Sequence, residues 1–229
     1  MALRLIIGNK NYSSWSMRPW IGLRAAGIPF DEEVISLYVP GSKEQILKYS
    51  PAGKVPVLID GAVHVWESLA ILEYAAEKFP AAGLWPSDPA ARAHARAISA
   101  EMHAGFAALR NECGMILWRP PAKKALSPEA QANIARIQEL WTDARARFGA
   151  GGPFLFGTFS AADAMYAPVV ARFSTYMIDV TPEVATYMAA MTSLPAWREW
   201  RRGALTETWV IPKFEESYPT VPRLPADTA

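Results

Sequence analysis

The sequence predicts an α/β unit followed by an all-helical one. Up to about residue 80, short apolar and β-branched runs alternate with helix-like stretches, whereas beyond about residue 90 apolar residues recur at three- and four-residue spacing. A proline-punctuated stretch, Pro80-Ala-Ala-Gly83 and then Pro86-Ser-Asp-Pro89, separates the two patterns and suits a linker. The expected division is residues 1–80, a linker over 81–90, and a helical unit over 91–229 with a proline-rich tail.

Leu3 to Ile7 is a short continuous apolar run and Phe30 to Leu37 a second. Between them a helix is expected from about Met17 to Ala26, stopped by Gly27-Ile-Pro29, which makes a βαβ unit. A helix over Lys43 to Tyr49 follows. Val57, Leu58 and Ile59 then run into Asp60-Gly61, the strongest two-residue hairpin signal, and Val63 to Val65 return as the partner strand. Glu67-Ser68 opens the apolar-periodic run Leu69, Leu72, Tyr74, Ala75 and Phe79. The order β-α-β-α-β-β-α is thioredoxin-like, and the second unit reads as a helical bundle.

In that second unit Ala95, Ile98, Met102, Phe106 and Leu109 form one amphipathic stripe, and Ile134, Ile137, Trp141, Ala144 and Phe148 another. Ser127-Pro128-Glu129 supplies an N-cap with proline at the first helical position, and Leu194-Pro195 starts a late helix similarly. Ser160-Ala-Ala-Asp163 is a capping box with Asp in place of Glu, a folding device. Pro212, Pro219, Pro222 and Pro225 suggest an extended cover.

Composition narrows the function. At 229 residues, 51% hydrophobic and 20% charged, the chain reads as a soluble globular protein. With 23 Lys plus Arg against 22 Asp plus Glu, no global field favours nucleic acid or an anionic membrane, so a small-molecule partner is expected. No membrane span or signal peptide is evident, and the single cysteine, Cys113, excludes an intrachain disulfide and a cysteine-rich metal site. A cytoplasmic location follows as the expectation.

The chemistry concentrates in Ser50-Pro-Ala-Gly-Lys-Val-Pro-Val-Leu-Ile-Asp-Gly61 and the Glu67-Ser68 that follows. Pro56 has no N–H for a ladder and pushes Val55 toward extended geometry, so the Val55 backbone is free to pair with a bound peptide, above all if Val55-Pro56 is cis. Glu67 and Ser68 fall in the first turn of a helix, where free N–H groups and the dipole favour a carboxylate. Glu67 suits an ammonium and Ser68 a carboxylate, the two charges of one amino-acid head group.

The Lys54-Val55-Pro56 step, the Asp60-Gly61 hairpin and Glu67-Ser68 resemble the glutathione-binding half of the cytosolic glutathione S-transferases, and Ser160 to Asp163 resembles that family's helix cap. The resemblance spans roughly residues 3 to 205. It implies that Val55 pairs with the cysteinyl backbone of glutathione, that Glu67 and Ser68 hold its γ-glutamyl group, and that Lys54 lies near its glycyl end. Asn11-Tyr-Ser-Ser-Trp-Ser-Met-Arg-Pro19 stands between the first strand and helix, where a hydroxyl meets a thiolate favoured by the helix end. Tyr12, Ser13, Ser14 and Ser16 compete on that reading. The segment resembles the Ser-Ser-Cys-Ser run of the zeta and theta-like, serine-type members, and that match selects Ser13 as the catalytic residue. It departs at Trp15, which replaces the cysteine, so cysteine-type reductase chemistry is not expected.

The resemblance also implies an electrophile pocket between the units, with Trp15, Phe106, Met115, Trp118 and Trp209 as candidates. His94 and His103, nine residues apart, fall on opposite sides of one helix and make no metal pair. His64 reads as structural, and neither a metal nor a nucleotide site is expected. The implied activity is glutathione conjugation to a small electrophile by a cytoplasmic homodimer, a detoxifying enzyme with glutathione as co-substrate. The alternatives are a glutathione-dependent isomerase of the maleylacetoacetate type and a non-catalytic binding or stress module.

Overall fold

The computed structural model describes residues 2–215 and 223–225. Strands β1 (Leu3–Gly8), β2 (Phe30–Ile35), β3 (Val57–Asp60) and β4 (Val63–Trp66) form one sheet in the order β2-β1-β3-β4. β1 and β2 are parallel, while β1–β3 and β3–β4 are antiparallel. Helices α1 (Ser14–Ala25) and α2 (Ser42–Leu47) flank β2 in sequence, and α3 (Ser68–Lys78) follows β4. The remainder is helical: α4 (Pro89–Ala104), α5 (Ala107–Glu112), α6 (Pro128–Phe148), α7 (Ala161–Thr175), α8 (Pro182–Ser193), α9 (Pro195–Thr206) and the short α10 (Pro212–Glu215). No helix among the described residues is long and apolar enough to cross a membrane.

Strand alternation divides the core. Leu3, Leu5 and Ile7 of β1 and Leu58 of β3 face a large cluster shared with α1, α3 and the helical bundle. Ile6, Val57 and Ile59 point the other way, onto Ile35 and Ile46. The central strands β1 and β3 are thus buried on both faces, which explains why they read as continuous apolar runs. Gly22 lets α1 approach its neighbours: a Cβ there would lie 2.5 Å from Leu72 Cδ2 of α3 and 3.3 Å from the Ala164 Cβ of α7.

Five expectations shift. Helix α1 begins at Ser14, three residues before Met17, because Ser13 is its N-cap, and Pro19 therefore lies inside the helix. The two hairpin residues are Gly61 and Ala62, since Asp60 pairs with Val63, and Gly61 takes the left-handed φ of 59°. The stripe from Ala95 to Leu109 is not one helix, because Gly105 is extended and Phe106 sits at φ 59°, dividing α4 from α5. A side chain at Gly105 would stand 2.7 Å from the Glu101 carbonyl, so the break requires glycine. β2 stops at Ile35, two residues short of Leu37, whose N–H leaves the ladder for Asn9 Oδ1. The tail opens not as an extended strap but as the helical turn α10, and Pro219 and Pro222 lie outside the described residues.

The other caps stand where expected. Ser127 Oγ accepts the Ala130 N–H ahead of α6. At α7, Asp163 accepts the Ser160 N–H and hydroxyl and the Leu155 N–H, and burial nonetheless pushes its carboxyl up to about 6.

Candidate active site

A cavity of about 270 Å³ opens where β4, α3, α4 and the start of α1 meet. It is lined by Trp15, Lys54, Val55, Pro56, Trp66, Glu67, Ser68, His103 and Arg110. Five residues anticipated from sequence, Trp15, Lys54, Val55, Glu67 and Ser68, are therefore brought together. Val55-Pro56 is cis, and Val55 stands two residues outside the β1–β3 ladder, which begins at Val57.

Glu67 and Ser68 differ in kind. Glu67 is the N-cap of α3 with φ 71° and ψ 128°, a combination that L residues avoid at a cost of about 1–3 kcal/mol. Its Oε2 is 3.5 Å from His103 Nε2 of α4, whose imidazole is held below its ordinary pKa first by burial. Ser68 is the first residue of α3 and is fully buried, yet its Oγ has no hydrogen-bond partner. A buried hydroxyl without a partner costs about 1–3 kcal/mol, so it stands ready for a ligand atom at a helix N-terminus.

The hydroxyls of the β1–α1 loop have different partners. Tyr12 donates to Glu215 Oε1 at 2.8 Å, and burial with that bond pushes its phenol well above the ordinary range. Ser14 Oγ accepts from Arg172 Nη2 at 3.3 Å. Ser13 caps α1 through the Ser16 N–H, and its Oγ lies 2.8 Å from Ser16 Oγ, which itself accepts the Gly8 N–H at 3.0 Å. Ser16 is thus not the cap but a brace behind Ser13. Ser13 is buried and does not itself line the cavity; the cavity's contact with this helix start is Trp15, two residues on.

Two electrophile-pocket residues lie elsewhere. Trp118 packs edge-on to Tyr12 at 5.3 Å and donates its indole N–H to Glu215, in the apolar cluster of Tyr12, Ile116, Leu205 and Ile211. Phe106 is buried in the main core at the α4–α5 break. Neither lines the cavity, because helical apolar spacing marks core as readily as pocket. Met115 is likewise buried in the core, while Trp209 is 41% exposed.

Sequence reasoning missed His103, Arg110 and Trp66. It also missed a buried guanidinium cluster behind Trp15. The Arg18 guanidinium lies 4.1 Å from the Trp15 ring centre and that of Arg110 5.3 Å, with His103 edge-on at 5.2 Å. Arg18 donates Nε to the Met165 carbonyl, but its two Nη atoms, Arg110 Nη1 and Arg172 Nε have no partners. Burial and mutual repulsion lower the Arg18 pKa well below normal and bring Arg172 down to about 10, first through burial. Cys113, fully buried, is pushed up to about 11 and remains a thiol.

A thioredoxin-like sheet unit carrying a cis-Pro loop beside an acid–serine helix start, with a helical unit behind it, defines a broad architectural class. Residues 12–78 match the model of the glutathione S-transferase N-terminal domain and residues 90–203 that of its C-terminal domain. A maleylacetoacetate isomerase of Rattus norvegicus is 30% identical, over 74% of this chain and 78% of that one. A probable maleylacetoacetate isomerase of Caenorhabditis elegans is 40% identical over 43% of this chain, the match spanning under half, 46%, of that relative. A glutathione transferase homolog from Burkholderia, solved with bound glutathione, superposes with a TM-score of 0.65 at 22% identity, covering 87% of this chain and 96% of that one, and shows the shared fold. The chain belongs to the glutathione S-transferase family.

Proposed function

We propose that the protein is a glutathione S-transferase that binds glutathione in the Val55–Ser68 cavity and turns its thiolate on a small electrophile. The observation that carries this is the buried, partnerless Ser68 Oγ beside Glu67 at the start of α3. Glu67 takes the ligand's ammonium, Ser68 and the helix end take its carboxylate, the Val55 backbone pairs with its cysteinyl unit, and Lys54 lies toward its glycyl end. Ser13 is the catalytic hydroxyl. A hydroxyl rotates freely, so Ser16 can donate to Ser13 Oγ, leaving the Ser13 proton for the ligand sulfur. The glutathione-binding unit is residues 1–80 and the helical unit 91–229, joined over 81–90; a cytoplasmic homodimer with a detoxifying role completes the reading.

A second reading is favoured by one feature. Arg110 lines the cavity beside Trp15, with Arg18 and Arg172 buried behind, and all three carry N–H groups without a hydrogen-bond partner among the described residues. Such a cluster suits an electrophile that carries carboxylates, as in a glutathione-dependent isomerase, where the thiolate adds to a conjugated acid and then leaves. Stoichiometry separates the two. Purified protein incubated with glutathione and a panel of neutral and carboxylated electrophiles consumes thiol and yields conjugates by mass spectrometry if it is a transferase. An isomerase converts substrate with thiol unchanged. Absence of both reactions, with glutathione bound, leaves the non-catalytic module.

A further inference from the structure

We propose that Glu207 is a positioning residue for thiol activation: from the end of α9 its carboxylate holds the backbone of the loop that carries Ser13. This inference rests on the transferase reading, because it supposes that Ser13 acts on a bound thiol.

The loop from Gly8 to Ser13 is short and its backbone donors are divided between two sides. The Asn9 carbonyl accepts from the Tyr12 and Ser13 N–H groups at 3.2 and 2.8 Å, forming the turn that delivers Ser13 to the head of α1. The intervening N–H groups of Lys10 and Asn11 face outward, and both are taken by Glu207: Oε1 accepts from Lys10 at 2.5 Å and Oε2 from Asn11 at 3.1 Å. Only an ionised carboxylate offers two equivalent acceptors to two successive amides. Glu207 reaches them because α9 ends at Thr206 and the backbone turns extended, with φ −62° and ψ 140°.

The charges around the carboxylate fit this role. Facing it are Lys10, on the loop itself, and Glu32 of β2. Lys10 Nζ pairs with Glu32 Oε1 at 2.8 Å and lies over the Trp20 and Trp200 rings at 5.0 and 5.6 Å. Gly203 of α9 makes room for that side chain, since a Cβ there would stand 2.7 Å from Lys10 Cδ. The loop is therefore seated on α9 at Lys10 and latched by Glu207. Burial, ahead of the opposing amide bonds, pushes the Glu207 carboxyl up to about 6, so the latch is closed at neutral pH. Below that it takes a proton and loses one of its two acceptors.

The test uses the full chain as wild type, Glu207→Gln and Glu207→Ala. Ionisation of bound glutathione is followed by thiolate absorbance from pH 5 to 9, glutathione affinity by calorimetry, and amide hydrogen exchange at Lys10 and Asn11 by NMR. The latch predicts that Glu207→Gln shifts the bound-thiol titration upward, so that at pH 7 a third or less of the wild-type thiolate remains and the two curves converge only above pH 8, while glutathione affinity stays within threefold. It also predicts that protection of the Lys10 and Asn11 amides falls at least tenfold while that of Ile6 and Ile7 is kept. Glu207→Ala gives the same pattern more strongly. A wild-type thiol titration in Glu207→Gln, with the two amides still protected, overturns the proposal. If wild-type protein itself leaves the bound thiol unshifted, the transferase reading falls and the latch with it.

Discussion

Replacing Ser68 by alanine separates a binding residue from a folding residue, because the structure gives the two roles opposite signs. Ser68 Oγ is fully buried and has no hydrogen-bond partner among the described protein atoms. Removing an unsatisfied buried hydroxyl relieves a penalty of about 1–3 kcal/mol, partly offset by the small space left, so Ser68→Ala leaves stability unchanged or raises it by about 1 kcal/mol. The same substitution deletes a hydrogen bond to a charged ligand group, worth about 1.5–3 kcal/mol. Glutathione affinity then falls by roughly 10- to 150-fold. Urea unfolding of the free protein and calorimetric titration with glutathione read the two effects independently. Unchanged affinity together with a loss of more than about 1 kcal/mol of stability refutes the reasoning, since Ser68 would then be a structural hydroxyl.

Three further outcomes follow from particular side chains. His103 is held below its ordinary pKa first by burial, so it is neutral at pH 7 and becomes a cation only below the usual histidine range. There it competes with the ligand ammonium for Glu67, 3.5 Å away, so glutathione affinity falls on acidification and His103→Gln flattens that fall; an unaltered pH profile of the dissociation constant contradicts this. The folded state also binds fewer protons at this site than the unfolded chain, so His103 subtracts stability as pH drops through the ordinary histidine value. Cys113→Ser leaves turnover nearly intact, since that thiol is buried at the end of α5 with its pKa raised to about 11; a loss beyond threefold would place chemistry there. Ser160→Ala lowers stability by about 1–2 kcal/mol through loss of the α7 capping box, measured by denaturant unfolding, and a loss under about 0.3 kcal/mol denies the cap its role.

What could be read from the chain was local. Pro56, Gly61 and the Glu67-Ser68 step act through backbone restrictions and helix ends within a few residues, so the hairpin and the α3 start were legible, with the turn displaced by one residue. The start of α1 was not, because Ser13, Ser14 and Ser16 are each capable caps. That Ser13 and not Ser16 caps α1 goes with Ser16 accepting the Gly8 N–H, a tertiary contact. Periodicity carried the Ala95 stripe straight across Gly105, since spacing cannot register a backbone that leaves the helix and resumes at positive φ. The arginine cluster draws on α1, α5 and α7, and charged residues far apart in sequence read as surface until packing buries them. His103 was set aside for facing away from His94, yet that opposite face is the one turned to the cavity.

The most direct measurement is the ionisation of glutathione bound to wild type and to Ser13→Ala, followed by thiolate absorbance across pH 5 to 10. A free thiol with a pKa of about 8.5 is only a few per cent ionised at pH 7, and lowering it by about 2 units, roughly 2.7 kcal/mol, makes most of it reactive. The account predicts that wild type produces such a shift and that Ser13→Ala loses half of it or more. Turnover at pH 7 then falls more than tenfold and recovers toward pH 9, while glutathione affinity stays within a fewfold and Ser14→Ala and Tyr12→Phe do distinctly less. A bound thiol that titrates identically in wild type and Ser13→Ala would contradict the assignment of Ser13 as the thiol-activating hydroxyl.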